Sequence, residues 1–196
     1  MKNEAYVRGK VLTDPVFDHK NKDIEYFKFI VSIKRRSKTC DEIPVMVSKT
    51  KLEDAGIKKG DNIFVFGEYR SYTTEESKLL LFVFCKEISA WNEEVMDNFV
   101  SLEGYLCQKG KVRVTPKGRV ILDLMIAVNR DHGKSSYIPC IVWNVTEEQA
   151  EELAIGDKIA VNGRIQSREY EKYQENGEKV TKTTYEVSIK EYFKIK

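Results

Sequence analysis

The chain has 196 residues, 41% hydrophobic and 11% aromatic, which is typical of a folded protein with two domains of about a hundred residues each. Its 33 basic and 31 acidic residues leave a net charge of +2 and divide evenly, 17 against 16 before Met96 and 16 against 15 from there on, so neither half is a polybasic tail. A polyanion would need a local cluster of Lys and Arg. No apolar run approaches the roughly 18 residues of a membrane span and no signal peptide is evident, so we expect a cytoplasmic protein.

Cysteine spacing gives no indication of a metal site. The four cysteines show no CxxC pairs and there are only two histidines, so zinc ligands would have to come from scattered positions. We therefore expect no metal and no cofactor. Cys85 and Cys140 lie inside apolar runs, where reduced core thiols are typical.

Five strands are predicted in the first half of the chain, each rich in β-branched and aromatic residues and bounded by turn residues. They cover residues 7–12, 26–33, 43–47, 63–69 and 79–88. One helix, 49–56, is predicted between the third and fourth strands. A linker is expected at 91–97, where the strand pattern is interrupted.

The second half predicts the same elements in the same order. Its strands are 99–106, 120–129, 137–143, 158–167 and 183–191, and its helix is 147–153. Thr146, followed by two glutamates, is a suitable N-cap for that helix. The last two strands are joined by a long charged hairpin at 169–182, whereas the first half has only 73–78 there.

The two halves repeat one another in sequence. An offset of 95 residues, which becomes 96 later, relates Gly9, Arg35, Pro44, Gly60-Asp61 and Gly67 to Gly104, Arg130, Pro139, Gly156-Asp157 and Gly163. Five strands with a helix between the third and fourth is the OB-fold order. We therefore predict an all-β protein of two tandem OB-folds, five-stranded Greek-key barrels, with domains at 1–90 and 98–196.

Signatures of enzymes are scarce. Gly133-Lys134-Ser135 is similar to the end of a phosphate-binding loop, but the glycine required five positions earlier is Val128. No serine, histidine and aspartate set for nucleophilic catalysis is suggested either. We therefore expect a protein that is not an enzyme, with no catalytic residues.

Aromatic residues alternate with cations in the second half, a pattern that favours single-stranded nucleic acid, because bases stack on rings while Lys and Arg follow phosphates. The candidates are Tyr137, Trp143, Tyr170, Tyr173, Arg130, Lys134, Arg164, Arg168 and Lys172. The two-residue period of a strand places Tyr137 and Trp143 on one face. Alternatively, Trp143 closes the barrel, Tyr137 caps its edge, and the hairpin tyrosines are merely solvated.

The second half resembles the bacterial single-stranded DNA-binding protein family over residues 98–193. The resemblance is carried by 126–130 (IAVNR), 141–143 (IVW), Gly156-Asp157, 161–170 (VNGRIQSREY) and 185–187 (YEV). It implies that Tyr137, Trp143 and Tyr170 stack on bases and that Arg130 and Arg168 approach the backbone. The family's acidic tail ending in Phe is not matched by Lys194-Ile195-Lys196, so recruitment of partners by that route is not expected.

The first half resembles the family only faintly, for example at 43–45 (IPV) and 59–61 (KGD). Glu42, Ser48 and about Thr74 stand where the second half has its three aromatic residues, so its stacking surface is expected to be depleted. Arg35 and Arg36 could still guide phosphates, Tyr69 and Tyr72 could substitute as stacking rings, and a structural or dimer-forming role is equally open. Tighter DNA binding by the second half is expected.

The resemblance implies non-enzymatic binding and protection of single-stranded DNA, with little sequence preference, in replication, recombination or repair. RNA is not excluded, because stacking is indifferent to the sugar. The family usually assembles four OB-folds, so a chain with two is expected to form a homodimer. The alternative is a primosome-like or replisome-like adaptor that acts through protein contacts.

Overall fold

The computed structural model describes residues 1–35, 37, 39–91, 97–173 and 177–195, except the side chains of His132 and Lys172. Within these ranges no helix is long and apolar enough to cross a membrane. Nor do the described His, Cys, Asp and Glu side chains form a group of three or more that could hold a metal ion.

The N-terminal half forms a barrel whose strands bury alternate residues. Its elements are β1 (Asn3–Val11), β2 (Val16–Asn21), β3 (Ile24–Lys34), β4 (Cys40–Ser48), α1 (Lys49–Ala55), β5 (Asn62–Thr73) and β6 (Leu79–Ala90). On β4, for example, Ile43, Val45 and Val47 are fully buried, because successive side chains of a strand point to opposite faces. The outward faces of the strands remain available for contacts.

The C-terminal half repeats this barrel. Its elements are β7 (Asp97–Lys109), β8 (Arg113–Val114), β9 (Val120–Asn129), β10 (Ser135–Trp143), α2 (Glu147–Glu151), β11 (Lys158–Tyr173) and β12 (Lys179–Lys194), with a 3-10 turn at Asp131–Gly133. As predicted, Thr146 caps α2. Its Oγ1 accepts a hydrogen bond from the Gln149 amide at 3.1 Å, and the Gln149 side chain accepts one from the Thr146 amide at 3.0 Å.

Both barrels close with the same strand order. In the first, β1 pairs with β3 and β5, β3 with β4, and β5 with β6, while β4 and β6 pair in parallel. In the second, β7, β9, β10, β11 and β12 pair in the corresponding way. The prediction of two tandem OB-folds is therefore confirmed.

An antiparallel pairing of β1 with β7 joins the barrels into one twelve-stranded sheet. Ala5 lies opposite Val100, its counterpart in the repeat, so this pair marks an approximate two-fold axis. Symmetry-related hydrogen bonds surround it: the Asn3 side chain bonds the Tyr69 backbone at 2.8 and 2.9 Å. The Asn98 side chain likewise bonds the Ile165 backbone at 2.6 and 3.1 Å.

A second pair of contacts departs from this symmetry. Ser136 Oγ accepts from the Ser71 amide at 3.1 Å. At the related position Asp41 replaces the serine, and its Oδ1 accepts from the Ser167 amide at 2.8 Å. Asp41 is 1% exposed, and the Arg35 guanidinium pairs with both of its carboxylate oxygens. The barrel interface thus contains a buried ion pair at one end only, as far as the described residues extend.

Two features differ from the predicted elements. The predicted hairpin connection at 169–182 is paired over most of its length, because β11 runs beyond the predicted end at 167 to Tyr173 and β12 begins at Lys179. The short strands β2 and β8 were missed, since they are mostly exposed and lack an apolar alternation. Residues 92–96 of the expected linker lie outside the described residues, so the domain boundaries stay a prediction.

Candidate nucleic-acid interface

The predicted stacking residues lie on the outward face of the C-terminal barrel. Tyr137 and Trp143 share one side of β10, as the strand period predicts. The Tyr137 ring is 48% exposed. Trp143 is half-buried, because its Nε1 donates to Ser188 Oγ at 2.9 Å and the Arg119 guanidinium lies 5.7 Å from its ring centroid. Both rings therefore retain solvent-facing surface.

The β11–β12 hairpin carries the other two tyrosines. Tyr170 lies opposite Lys182 and is 43% exposed, while Tyr173 lies opposite Lys179 and is 69% exposed. Pairing along the ribbon gives these rings fixed positions, which a loop would not provide. Arg168 is exposed on the same ribbon, opposite Thr184. The side chain of Lys172 lies outside the described residues.

Two of the predicted phosphate contacts are held in the barrel interface instead. The Arg35 guanidinium pairs with Asp41 and also donates to the Ser167 carbonyl at 2.6 Å. Arg164 lies 3.5 Å from Asp41 and 3.2 Å from Gln166 Oε1, although its side chain is 43% exposed. A phosphate would have to compete with these partners. Arg36 lies outside the described residues.

Arg130, the counterpart of Arg35 in the repeat, has few partners. Its Nη2 lies 3.5 Å from the Ser135 carbonyl, and its Nε is buried without a hydrogen-bond partner among the described residues. Desolvation, and secondly the charge of Arg70, lower the pKa of Arg130. A half-buried cation with unused donors is suited to an incoming anion. Lys134 follows Arg130 closely in the sequence, directly before β10, and its side chain is exposed.

An open groove of about 1680 Å³ gathers several of these residues on one side of the molecule. We call it the inter-barrel groove; Arg130, Lys134 and Tyr170 line it from the C-terminal barrel. Tyr137, Trp143, Tyr173, Arg164, Arg168 and Arg35 are not among its lining residues. The predicted site residues therefore divide between this groove, the C-terminal barrel face and the barrel interface.

Most residues that line the groove belong to the N-terminal barrel, and most of these were not predicted from the sequence as site residues. The missed residues include Tyr26, Phe84 and Arg70. The suggestion that Tyr69 offers a stacking ring is wrong, since Tyr69 is fully buried and burial raises its pKa well above the usual value. Tyr72, in contrast, is 58% exposed and lines the groove.

An acidic residue interrupts the C-terminal face. Glu186 lies on β12, and desolvation raises the pKa of its carboxyl group above the ordinary value. The neighbouring charges of Arg168 and Arg113 act in the opposite direction. Asp123, also close by, is paired with Arg113 at 2.7 Å. Negative charge here opposes the binding of phosphates.

The fold and these surfaces define a protein of two OB-folds with exposed aromatic and basic residues. Residues 97–193 match the model of the Single-strand binding protein family. This match covers the C-terminal barrel.

Curated relatives agree with this match. Single-stranded DNA-binding protein 1 of Streptococcus agalactiae is 34% identical over 89 residues, 40% of this chain and 53% of that protein. Single-stranded DNA-binding protein 1 of Lactococcus lactis is 36% identical over 95 residues, 43% of this chain and 60% of that protein. This chain thus spans little more than half the length of these curated relatives.

The wild-type single-stranded DNA binding protein from Thermus aquaticus has a similar structure. It superposes with a TM-score of 0.71 at 20% identity, covering 100% of this chain and 93% of that one. At this identity the likeness shows the fold, and both barrels are included in it.

Proposed function

We propose that this protein binds single-stranded DNA without catalysis and with little sequence preference, protecting it during replication, recombination or repair. The observation that carries the proposal is the exposure of Tyr137 and Tyr170 on a barrel that matches the family over residues 97–193. A cytoplasmic location belongs to the same proposal. RNA is a second candidate ligand, because stacking is indifferent to the sugar.

The mechanism combines stacking with phosphate contacts. Each base that stacks on an aromatic ring contributes about 1–3 kcal/mol. Each phosphate neutralised by a cation such as Arg168 or Arg130 adds about 0.7 to the dependence of log affinity on log salt. Neither contribution reads base identity, which accounts for the low sequence preference.

A fluorescence titration tests the proposal, because the chain has only two tryptophans. A Trp91→Phe variant leaves Trp143 as the single reporter. We expect oligo-dT and mixed-sequence single strands to quench this emission with similar affinity, and duplex DNA to quench it weakly. No quenching by single strands at low salt would contradict the proposal.

The adaptor alternative is not favoured, since the family match covers the barrel that carries the stacking residues. It predicts that replacing the aromatic residues leaves single-strand binding unchanged. A Trp143→Ala variant is expected instead to lose about 1–3 kcal/mol of binding free energy, measured by anisotropy of a labelled oligonucleotide.

We further infer that two copies pair into a dimer with four barrels. Support comes from a row of rings across three strands of the joined sheet, formed by Phe66, Tyr6 and Phe99. Their centroids lie 4.9 and 6.3 Å apart, and Phe99 is 43% exposed. An apolar row of this kind on a sheet surface is typical of a subunit contact.

Light scattering at micromolar concentration tests this inference. The wild-type protein is expected to have the mass of a dimer, and the double variant Tyr6→Glu with Phe99→Glu that of a monomer. Circular dichroism of the variant checks that its strands are retained. A monomeric wild-type protein would rule the dimer out.

A further inference from the structure

We infer that the N-terminal barrel has a stacking surface of its own for single-stranded nucleic acid, built from Tyr26, Phe84 and Arg70. These residues do not stand at the positions that correspond to Tyr137, Trp143 and Tyr170 of the C-terminal barrel. The inference rests on the proposed function and extends it to a second site, where a depleted surface was expected.

Four side chains form a continuous row along the groove. The His19 ring is stacked on Tyr26 with centroids 5.0 Å apart and planes 15° from parallel. Tyr26 lies 5.7 Å from Phe84, and the Arg70 guanidinium lies 3.8 Å from the Phe84 centroid. Flat rings and guanidinium planes in such a row are what unpaired bases stack on.

This row occupies the place of Trp143 in the other barrel, although the residues come from different strands. Trp143 pairs across the ladder with Ile121, and its counterpart Ser48 pairs with Tyr26. The aromatic ring has thus moved from β4 to its neighbour on β3.

The residue that contacts this ring has also been replaced. In the C-terminal barrel Ser188, opposite Arg164, accepts the hydrogen bond of Trp143. The corresponding residue of the first barrel, opposite Glu68, is Phe84. Both members of the contact have been replaced while an aromatic surface is kept.

Cations outnumber acidic residues among the described residues that line the groove. Among the described residues, six lysines and arginines line the groove against two aspartates, Asp18 and Asp131, in a chain whose total charge is only +2. The cations are Lys28, Arg70, Lys78, Arg130, Lys134 and Lys182. Lys28 lies opposite Met46, whereas its counterpart Asp123 lies opposite Ile141 on the C-terminal face. Lys28 is ion-paired with Asp18 at 2.9 Å and Arg70 with Glu68 at 2.7 Å, so a phosphate would have to compete with these carboxylates.

The groove also connects the two barrels. Arg130 and Tyr170 of the C-terminal barrel line it together with Tyr26 and Phe84. A single strand stacked on Tyr170 can continue along this groove to the N-terminal row, with Arg130, which lines the same groove, as a phosphate contact.

Full-length variants test the inference with oligo-dT of about 32 nucleotides, twice the upper range for one OB-fold. Tyr26→Ala is expected to lower affinity about 5- to 150-fold, the effect of losing one stacked base. Tyr26→Phe keeps the ring and should bind as the wild type does. Phe17→Ala is the matched control, since Phe17 is 56% exposed on the same hairpin but does not line the groove.

A second measurement does not depend on the stability of a variant. Photocrosslinking of wild-type protein to bromodeoxyuridine-substituted oligonucleotides, followed by tryptic mass spectrometry, should give adducts on peptides 23–28 and 79–86, which contain Tyr26 and Phe84. Adducts confined to the C-terminal half, or wild-type affinity of folded Tyr26→Ala, would overturn this inference alone. Absence of binding by the wild-type protein would overturn the proposed function as well.

Discussion

Two arginines at equivalent positions of the repeat have different surroundings. Arg35 meets Asp41 in the barrel interface. In the C-terminal barrel, Ser136 stands at the position of that aspartate. The Nε of Arg130 has no hydrogen-bond partner among the described residues. Where the aspartate is present, the guanidinium is ion-paired; where serine replaces it, the guanidinium has few partners among the described residues.

This difference predicts opposite effects of two matched variants. Arg130→Gln should reduce the salt dependence of DNA binding by about 0.7 in log–log slope, with little change in melting temperature. Arg35→Gln should lower the free energy of unfolding by about 3 kcal/mol, since it leaves Asp41 buried with weaker partners. Anisotropy titrations at several salt concentrations and chemical denaturation measure the two effects. A large loss of stability for Arg130→Gln would contradict the assignment.

Removal of the Glu186 charge is expected to strengthen the binding of DNA. Because desolvation raises the pKa of this carboxyl group, its ionised form is unfavourable in the folded state. Glu186→Gln removes a negative charge that opposes phosphates and should bind single-stranded DNA more tightly, by a few-fold. Because the buried charge is unfavourable, no loss of stability is expected. Glu148→Gln, an exposed change on α2, serves as the control. Weaker binding by Glu186→Gln would show that this carboxylate contacts the ligand favourably.

At the scale of elements, two glycines shape the long hairpins. Register shifts occur at Gly67 in β5 and at Gly163 in β11. A Cβ at Gly163 would overlap the Ser188 carbonyl oxygen on β12, so only glycine fits this approach. The irregularity bends each strand where it leaves the barrel and enters the hairpin.

Gly163→Ala is expected to separate β11 from β12 at this point. We predict a loss of about 1–3 kcal/mol in unfolding free energy, measured by denaturation. The displacement of Ser188 should also remove its hydrogen bond to Trp143 and shift the tryptophan emission. Gly177→Ala provides a comparison at the hairpin tip, where a Cβ would meet nothing within 4 Å, although φ is +82°.

The strand order was predictable because apolar alternation and turn residues occur twice in the same register. The pairing of the 169–182 hairpin was not, since its polar residues have no core-facing period. The N-terminal stacking row was missed for a geometric reason. An aromatic ring on Tyr26 instead of its partner Ser48 lies only about 5 Å away across the ladder. A comparison of the two halves position by position shows only that serine replaces Trp143.

At the scale of the whole molecule, the joined sheet predicts cooperative unfolding. β1 and β7 exchange backbone hydrogen bonds across the barrel interface, and the Asp41 ion pair and serine contacts reinforce them. Calorimetry should show one transition with equal calorimetric and van't Hoff enthalpies. Two separated transitions would show that the barrels are independent folding units.

The β1–β7 pairing has a final consequence, because both strands belong to one polypeptide. The covalent connection gives each barrel a high effective concentration of the other, so their pairing does not depend on dilution. It also frees each half from the constraint of identical subunits, in which every substitution appears twice around the axis. One barrel can therefore acquire an aspartate or relocate a tyrosine while the other stays unchanged, and the ligand meets two dissimilar halves in a fixed direction.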